Sequence, residues 1–237
     1  MFSGSFLEKN PLLPTLDLLA SRLVERALPI RFRLADSLSD LEQVFRLRYQ
    51  VVVEKGWAKP ENFPDGMEQD AYDERAVHIL ALDDGRLIGT SRLVLPQPGS
   101  RLPTEEAFDL VFEPKGDVAD IGRVCVAAGY RGHNYSIFSA LLGRTWIEMR
   151  HRGCRRALAA VAPSTARMYR SWGLKLKVLG TPCTHWGKER YPALIPPVES
   201  AEAMLALLQS DPLPWGTKGD GRILNGPRGR GVREWGL

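Results

Sequence analysis

Cysteine is scarce in this chain: Cys125, Cys154 and Cys183 are its three cysteines, and none of them forms a CxxC pair. So odd and scattered a set excludes a disulfide framework and a zinc knuckle, and it predicts a reducing, cytoplasmic setting. Long apolar runs are lacking too. No segment approaches the ~20 apolar residues needed to span a bilayer. The first residues carry Glu8 where a secretory signal needs a basic start. There is no GxSxG elbow, and the glycine-rich "GTKGDGRILNG" has no strand before it, so neither a serine hydrolase nor a dinucleotide fold is indicated. Cys183 and His185 in "TPCTHW" are too few for a metal centre, and no metal or permanent cofactor is expected. Charge of one sign is not in great excess: 32 basic residues against 28 acidic leave +4, which suits an acidic partner without requiring a nucleic acid.

What remains is a 237-residue chain with 44% hydrophobic residues, enough for one substantial core. Residues 12–28 read as a short amphipathic helix within an N-terminal extension (1–29), either docked on the domain or touching a membrane surface. The domain proper is expected over 30–212, and the Gly- and Arg-rich tail (213–237) reads as flexible. "IRFRLADS" alternates as a first strand. Ser39 and Glu42 then suggest a capping box, opening a helix whose apolar stripe includes Arg48. A long loop (58–70) leads into "AVHILAL" and "RLIGTSRLVL", joined by the Asp-Gly turn of a hairpin. On the second of these strands Arg92 shares a face with Ile88, Thr90 and Val94. "VADIGRVCVAA", "CRRALAAVA" and "LKLKVL" are further strands, separated by helices over "YSIFSALLGRTWIEMRHRG" and "STARMYRSW", and "SAEAMLALLQS" is a last helix. This order predicts an α/β (α+β) fold around one mixed sheet.

The order and the local text resemble the GNAT acyltransferase superfamily, with a splayed central sheet, over roughly residues 30–180. Within it the chain is similar to the acyl-homoserine lactone synthases and the long-chain N-acyl amino acid synthases. The shared pattern lies in "RYQVVVEKGW" (Arg48, Trp57), "DAYD" (Asp70, Asp73), "GTSRL" (Arg92) and "DIGR" (Asp120, Arg123). The resemblance implies that these residues shape the acceptor side of the active site and hold its N-terminal lid. Val52, Gly122 and Asp120 depart from the lactone-synthase pattern, as does the extra length before the first strand, and they favour the N-acyl amino acid branch.

The implied reaction moves a fatty acyl group from a thioester to the amine of an amino acid or a homoserine-type acceptor; the alternative is a coenzyme A-dependent acetyltransferase of a small amine. A noncatalytic binding module is a reading from another class. No covalent intermediate is required, because a thiol of pKa about 8.5 is already a competent leaving group. Asp120 is the expected base, with an ion pair to Arg123 as its structural alternative. Tyr169 is the expected acid, with a packed aromatic as the alternative. Backbone donors for the oxyanion are expected at a bulge near Val126. Trp57 either caps the acceptor pocket or packs on the first helix. The donor turn keeps Arg131 and Gly132 of the R/Q-x-x-G-x-G/A pattern but carries Asn134 and Ser136 where small residues belong. That loosened phosphate cradle fits acyl-phosphopantetheine on acyl carrier protein better than acyl-CoA. Arg150, Arg152, Arg155 and Arg156 form a candidate patch for such an acidic carrier.

Overall fold

The computed structural model describes residues 12–132 and 136–209; the expected C-terminal tail and Asn134 lie outside them. The chain begins with α1 (Leu12–Glu25), then β1 (Arg31–Leu34), α2 (Leu38–Glu54), β2 (Ala76–Asp83), β3 (Arg86–Val94), the short α3 (Pro103–Ala107) and β4 (Val118–Val126). It continues through α4 (Ser136–His151), β5 (Arg156–Val161), α5 (Pro163–Ser171), β6 (Lys177–Val178), β7 (Cys183–His185), β8 (Lys188–Ile195) and α6 (Pro197–Gln209). One mixed sheet orders these strands β1-β2-β3-β4-β5-β8-β6, and β7 pairs with β8.

Two strands exceed the sequence expectation. β8 inserts between β5 and β6, and the run "LKLKVL" pairs with it through Lys177 and Val178, with the Leu179 N–H also bonding the Pro192 carbonyl at 2.9 Å. The start of α2 also differs: its N-cap is Ser37, whose Oγ accepts from the Asp40 backbone N–H at 3.2 Å, rather than Ser39. Asp40 serves better than Glu42 because it is buried against Arg33, with Arg33 Nη2 at 2.7 Å, whereas Glu42 pairs outward with Arg46.

The main core lies between the sheet and α4, where Ile79, Ile88, Leu93, Ala140, Leu141 and Met149 are all fully enclosed. α1 lies across α4 and against α6, burying Leu13, Leu16 and Ala20. Its Asp17 accepts from Trp146 Nε1 at 2.8 Å and from Arg150 Nε at 3.2 Å. The apolar face of α1 is therefore spent on the domain, which is the docked alternative of the two. No helix among the described residues is long and apolar enough to cross a membrane.

Gly143 permits this docking, since a Cβ there would stand 2.7 Å from the Ala20 carbonyl oxygen. Alanine ordinarily gains up to ~1 kcal/mol over glycine in a helix, but here it must push a backbone aside. Gly143→Ala is expected to destabilise the protein by ~1–3 kcal/mol, read as a lower midpoint in thermal denaturation; a raised midpoint would show that α1 does not depend on this contact.

Candidate active site

Arg48 on α2 and Arg92 on β3 are the two largest side chains with essentially no exposure. Arginine in an interior is costly unless its charge is matched, and here each guanidinium is paired with carboxylates, although Arg92 Nε is buried with no partner among the described residues. Arg48 Nη1 and Nη2 fork onto Asp73 at 2.8 and 3.1 Å, and its Nε bonds Glu68. Arg92 Nη1 reaches Asp70 at 2.6 Å and Asp73 at 2.9 Å. Arg123 on β4 donates from Nε to Glu68 at 3.1 Å and from Nη2 to Asp70 at 2.9 Å. Three arginines and three carboxylates thus form one closed, neutral cluster that ties the loop before β2 to the sheet. Burial alone would raise the Asp73 pKa, but the hydrogen bonds and charge of Arg48, with Arg92, hold it well below the usual carboxylate range.

Sequence reasoning placed Asp120 in this set, but the third acid of the cluster is Glu68. It sits in the irregular loop over residues 58–70, where no periodicity marks a residue as inward, yet it is fully buried. Asp120 stands apart and makes no ion pair with Arg123 or any other described residue. Its Oδ2 accepts from the Thr104 backbone N–H at 2.7 Å. Burial pushes its pKa up to about 6, against the lowering effect of the Thr104 bonds and of Arg92 and Arg123. Its position is telling. β4 and β5 pair in parallel only through Val118, Ala119 and Asp120, the last of these opposite Leu158. Beyond that point β4 runs on to Val126 and β5 to Val161 without pairing, so the protonatable carboxylate stands where the two strands part.

The β4 bulge lies upstream of the expected Val126. Val126 is in register with Gly89, whereas Thr90 opposes Cys125 and Arg92 opposes Gly122, leaving Arg123 and Val124 against Ser91 alone. Arg123 has φ +51°, a left-handed conformation that costs a residue with a Cβ roughly 1–2 kcal/mol. Its two ion pairs oppose that cost, and the bulge interrupts the β3–β4 ladder at these residues. Val126 instead offers its carbonyl to Arg131 Nε at 2.6 Å.

The ion cluster is covered at Arg123 by two segments distant in sequence. β7 and β8 form a hairpin whose turn residues, Trp186 and Gly187, both have positive φ. Trp186 stacks parallel to Phe63 of the lid loop and lies under the Arg123 guanidinium at 4.3 Å. A Cβ at Gly187 would sit 2.9 Å from the Trp57 carbonyl oxygen, so glycine is required for both turn and contact. Trp57 thus packs against this turn, with Arg190 of β8 over its ring at 5.1 Å. His185, shielded by burial and near Arg123 and Arg190, has its pKa lowered to about 4 and is neutral at pH 7.

At the expected donor turn, Gly132 takes φ +93°, and α4 begins at Ser136. Arg131 donates Nε to the Val126 carbonyl and Nη1 to Glu54, and its Nη2 is buried with no partner among the described residues. Tyr169 is buried on α5 among Phe138, Trp172 and Val161, as its packing alternative held, and burial raises its pKa. Its phenol is protonated at neutral pH and makes no hydrogen bond among the described residues. The arginines of the candidate carrier patch are engaged within the chain: Arg150 with Asp17, Arg152 with Glu148 at 2.8 Å, and Arg156 Nε with Asp117 at 2.9 Å. Arg155 too has a partner. The patch is therefore much less basic than its sequence suggests.

A mixed sheet that opens between β4 and β5, with a turn and helix at the mouth, defines a GNAT-type acyltransferase fold. More specifically, the profile of the family described as N-acyl amino acid synthase FeeM matches residues 43–193, and the chain belongs to that family. Among solved structures, FeeM, an N-acyl amino acid synthase from uncultured soil microbes, superposes with TM-score 0.60 at 13% identity over 77% of this chain and 98% of its own. TofI, solved in a ternary complex with an inhibitor and MTA, gives 0.59 at 23% identity over 74% and 95%. BjaI, a CoA-dependent acyl-homoserine lactone synthase with SAM and isopentyl-CoA, gives 0.56 at 22% over 74% and 85%. At these identities the structures establish the fold. A curated relative, the isovaleryl-homoserine lactone synthase of Bradyrhizobium diazoefficiens, is 46% identical over 54 residues, a stretch covering 22% of this chain and 25% of that protein.

Two outcomes follow from the electrostatics. Glu68→Gln leaves Arg48 and Arg123 short of an anion and is expected to cost ~3–5 kcal/mol in urea denaturation, while Glu74→Gln, at an exposed neighbour, changes little; equal, small effects would show that the cluster is not a closed set. Asp120, with its pKa raised on folding, contributes stability below pH ~4 that is lost as pH rises through about 6. The stability advantage of Asp120→Asn over the parent should therefore grow by ~2–3 kcal/mol between pH 4 and pH 7, and a pH-independent difference would refute the buried-acid assignment.

Proposed function

We propose that the protein is an N-acyltransferase that moves a fatty acyl group from a phosphopantetheine thioester to the amine of an amino acid or homoserine-type acceptor. The observation that carries this reading is Asp120: a buried carboxylate outside the ion-pair cluster, with a pKa pushed up to about 6, at the point where β4 and β5 separate. Above pH 6 it is ionised and able to take a proton from an ammonium of pKa about 8. The freed amine lone pair attacks the thioester carbonyl carbon. As the C–N bond forms, the oxyanion is met by backbone N–H groups at the Arg123–Val124 bulge, and the C–S bond then breaks.

The fate of the proton follows from the pKa order. A phenol raised by burial is too weak an acid to protonate a thiolate of pKa about 8.5 outright. Tyr169 therefore acts as a hydrogen-bond donor to the departing sulfur, and the proton held on Asp120, which is more acidic than a thiol, passes to it. The six-ion cluster keeps the lid over residues 58–73 in place and leaves its arginines no spare charge, so it positions the acceptor pocket without itself taking part in the transfer.

Acyl carrier protein is the donor favoured by the turn, where Gly132 is the sole small residue before Ser136 and the pyrophosphate cradle is incomplete. Coenzyme A is the second reading, supported by the Nη2 of Arg131, which has no partner among the described residues, and by the CoA dependence of BjaI.

Mass spectrometry of lipids from cells overproducing the chain is expected to reveal an N-acylated amine that Asp120→Asn lowers by about 10²–10⁴-fold. With purified protein, turnover should rise with pH through about 6, and dodecanoyl-acyl carrier protein should be used in preference to dodecanoyl-CoA. Absence of any acylated amine would overturn the proposal, and preference for the CoA thioester would reverse the donor assignment alone.

A further inference from the structure

The Arg48, Arg92 and Arg123 cluster is internally neutral, so an anionic group on the acceptor has to be met by something else. Beside it stands an arginine that has no carboxylate. Arg190, half-buried at the start of the paired stretch of β8, lies opposite Cys183 and donates Nε to the His185 carbonyl oxygen at 2.9 Å. That bond fixes the plane of the guanidinium, while Nη1 and Nη2 bond no described protein group. Its Cζ lies over the Trp57 ring at 5.1 Å, and Nη1 and Nη2 form the planar N–H fork that a bidentate clamp requires. Lys188 Nζ lies 5.7 Å over the same ring. Trp57 Nε1 is itself a buried donor with no partner. A desolvated, unpaired cation is unfavourable, and burial with the charge of nearby Arg123 lowers the Arg190 pKa, so an incoming anion is welcomed at this position.

Building on the acyltransferase reading above, we infer that Arg190 is the specificity-determining residue that clamps the carboxylate of a free amino-acid acceptor. The clamp orients the acceptor beneath Trp57 and Trp186, with its amine turned away from the guanidinium. A free amino acid carries no side-chain leaving group for its carboxylate to displace, so the product leaves as an open N-acyl amino acid with its acid group intact. Sequence reasoning passed over Arg190 because "KERYPALI" did not read as a strand.

The test uses the full chain, dodecanoyl thioester and the twenty L-amino acids, followed by the methyl ester of whichever is acylated fastest. For the parent protein, kcat/KM for the free acid is expected to exceed that for the ester by at least about 10-fold. Arg190→Gln should raise KM for the acid by about 10–100-fold, affect the ester far less, and leave kcat for the acid within a few fold; Arg190→Lys should recover part of the loss. Equal use of acid and ester by the parent, an unchanged KM for the acid in Arg190→Gln, or equal losses with both acceptors would overturn the inference while leaving the acyltransferase intact. If the parent acylates no amine at all, the functional reading fails, and this inference with it.

Discussion

Three arginines and three carboxylates, closed on one another in the interior, are the constraint from which the rest of this structure follows. Removing so many charges from water costs several kcal/mol for each ion before any pairing is counted. The return is geometric, because the partners come from α2, the loop before β2, β3 and β4, and they can be satisfied together in a single arrangement of those elements. Hydrophobic contacts would tolerate a lid that slides; a bidentate Arg48–Asp73 pair does not. The cluster thus converts an irregular loop into part of a rigid wall.

That wall explains the strain next to it. Arg123 holds a left-handed backbone conformation, which its side chain can sustain because Glu68 and Asp70 anchor it from the loop and Trp186 covers it. The same bulge offsets β4 from β3 at the point where β4 leaves β5. Asp120, three residues earlier, remains in the regular part of the strand, sealed and apart from the charges around it. Proximity without pairing lets its pKa rise, whereas Asp73, equally buried but doubly clamped, is driven the opposite way.

Two of the buried arginines were visible in the sequence through periodicity, whereas Asp70, Asp73 and Arg123 were reached through the family resemblance alone. Arg48 announced itself by standing on the apolar stripe of α2, and Arg92 by sharing a strand face with Ile88 and Val94. Both proved almost wholly enclosed. Glu68 gave no such signal, because a loop has no repeat against which an inward residue stands out. The bulge was placed near Val126 when it lies at Arg123–Val124, since register is a property of two strands and only one can be read at a time. β8 escaped notice because it opens on charged residues and contains Pro192, which disfavours an interior strand; its carbonyl still accepts from Leu179 N–H at 2.9 Å. Asp17 and Asp117, which pair with Arg150 and Arg156, lie far from them in sequence, so these ion pairs could not be read from the arginine-rich stretch itself.

The late strand β8 also governs the order in which the protein can be made. It fills the slot between β5 and β6 and follows directly on the Trp186 turn, so the sheet stays incomplete and Arg123 lacks its Trp186 cover until the segment up to residue 195 is in place. Pairings of such long sequence separation form slowly. The covering of Arg123 is therefore expected among the last events as the fold assembles.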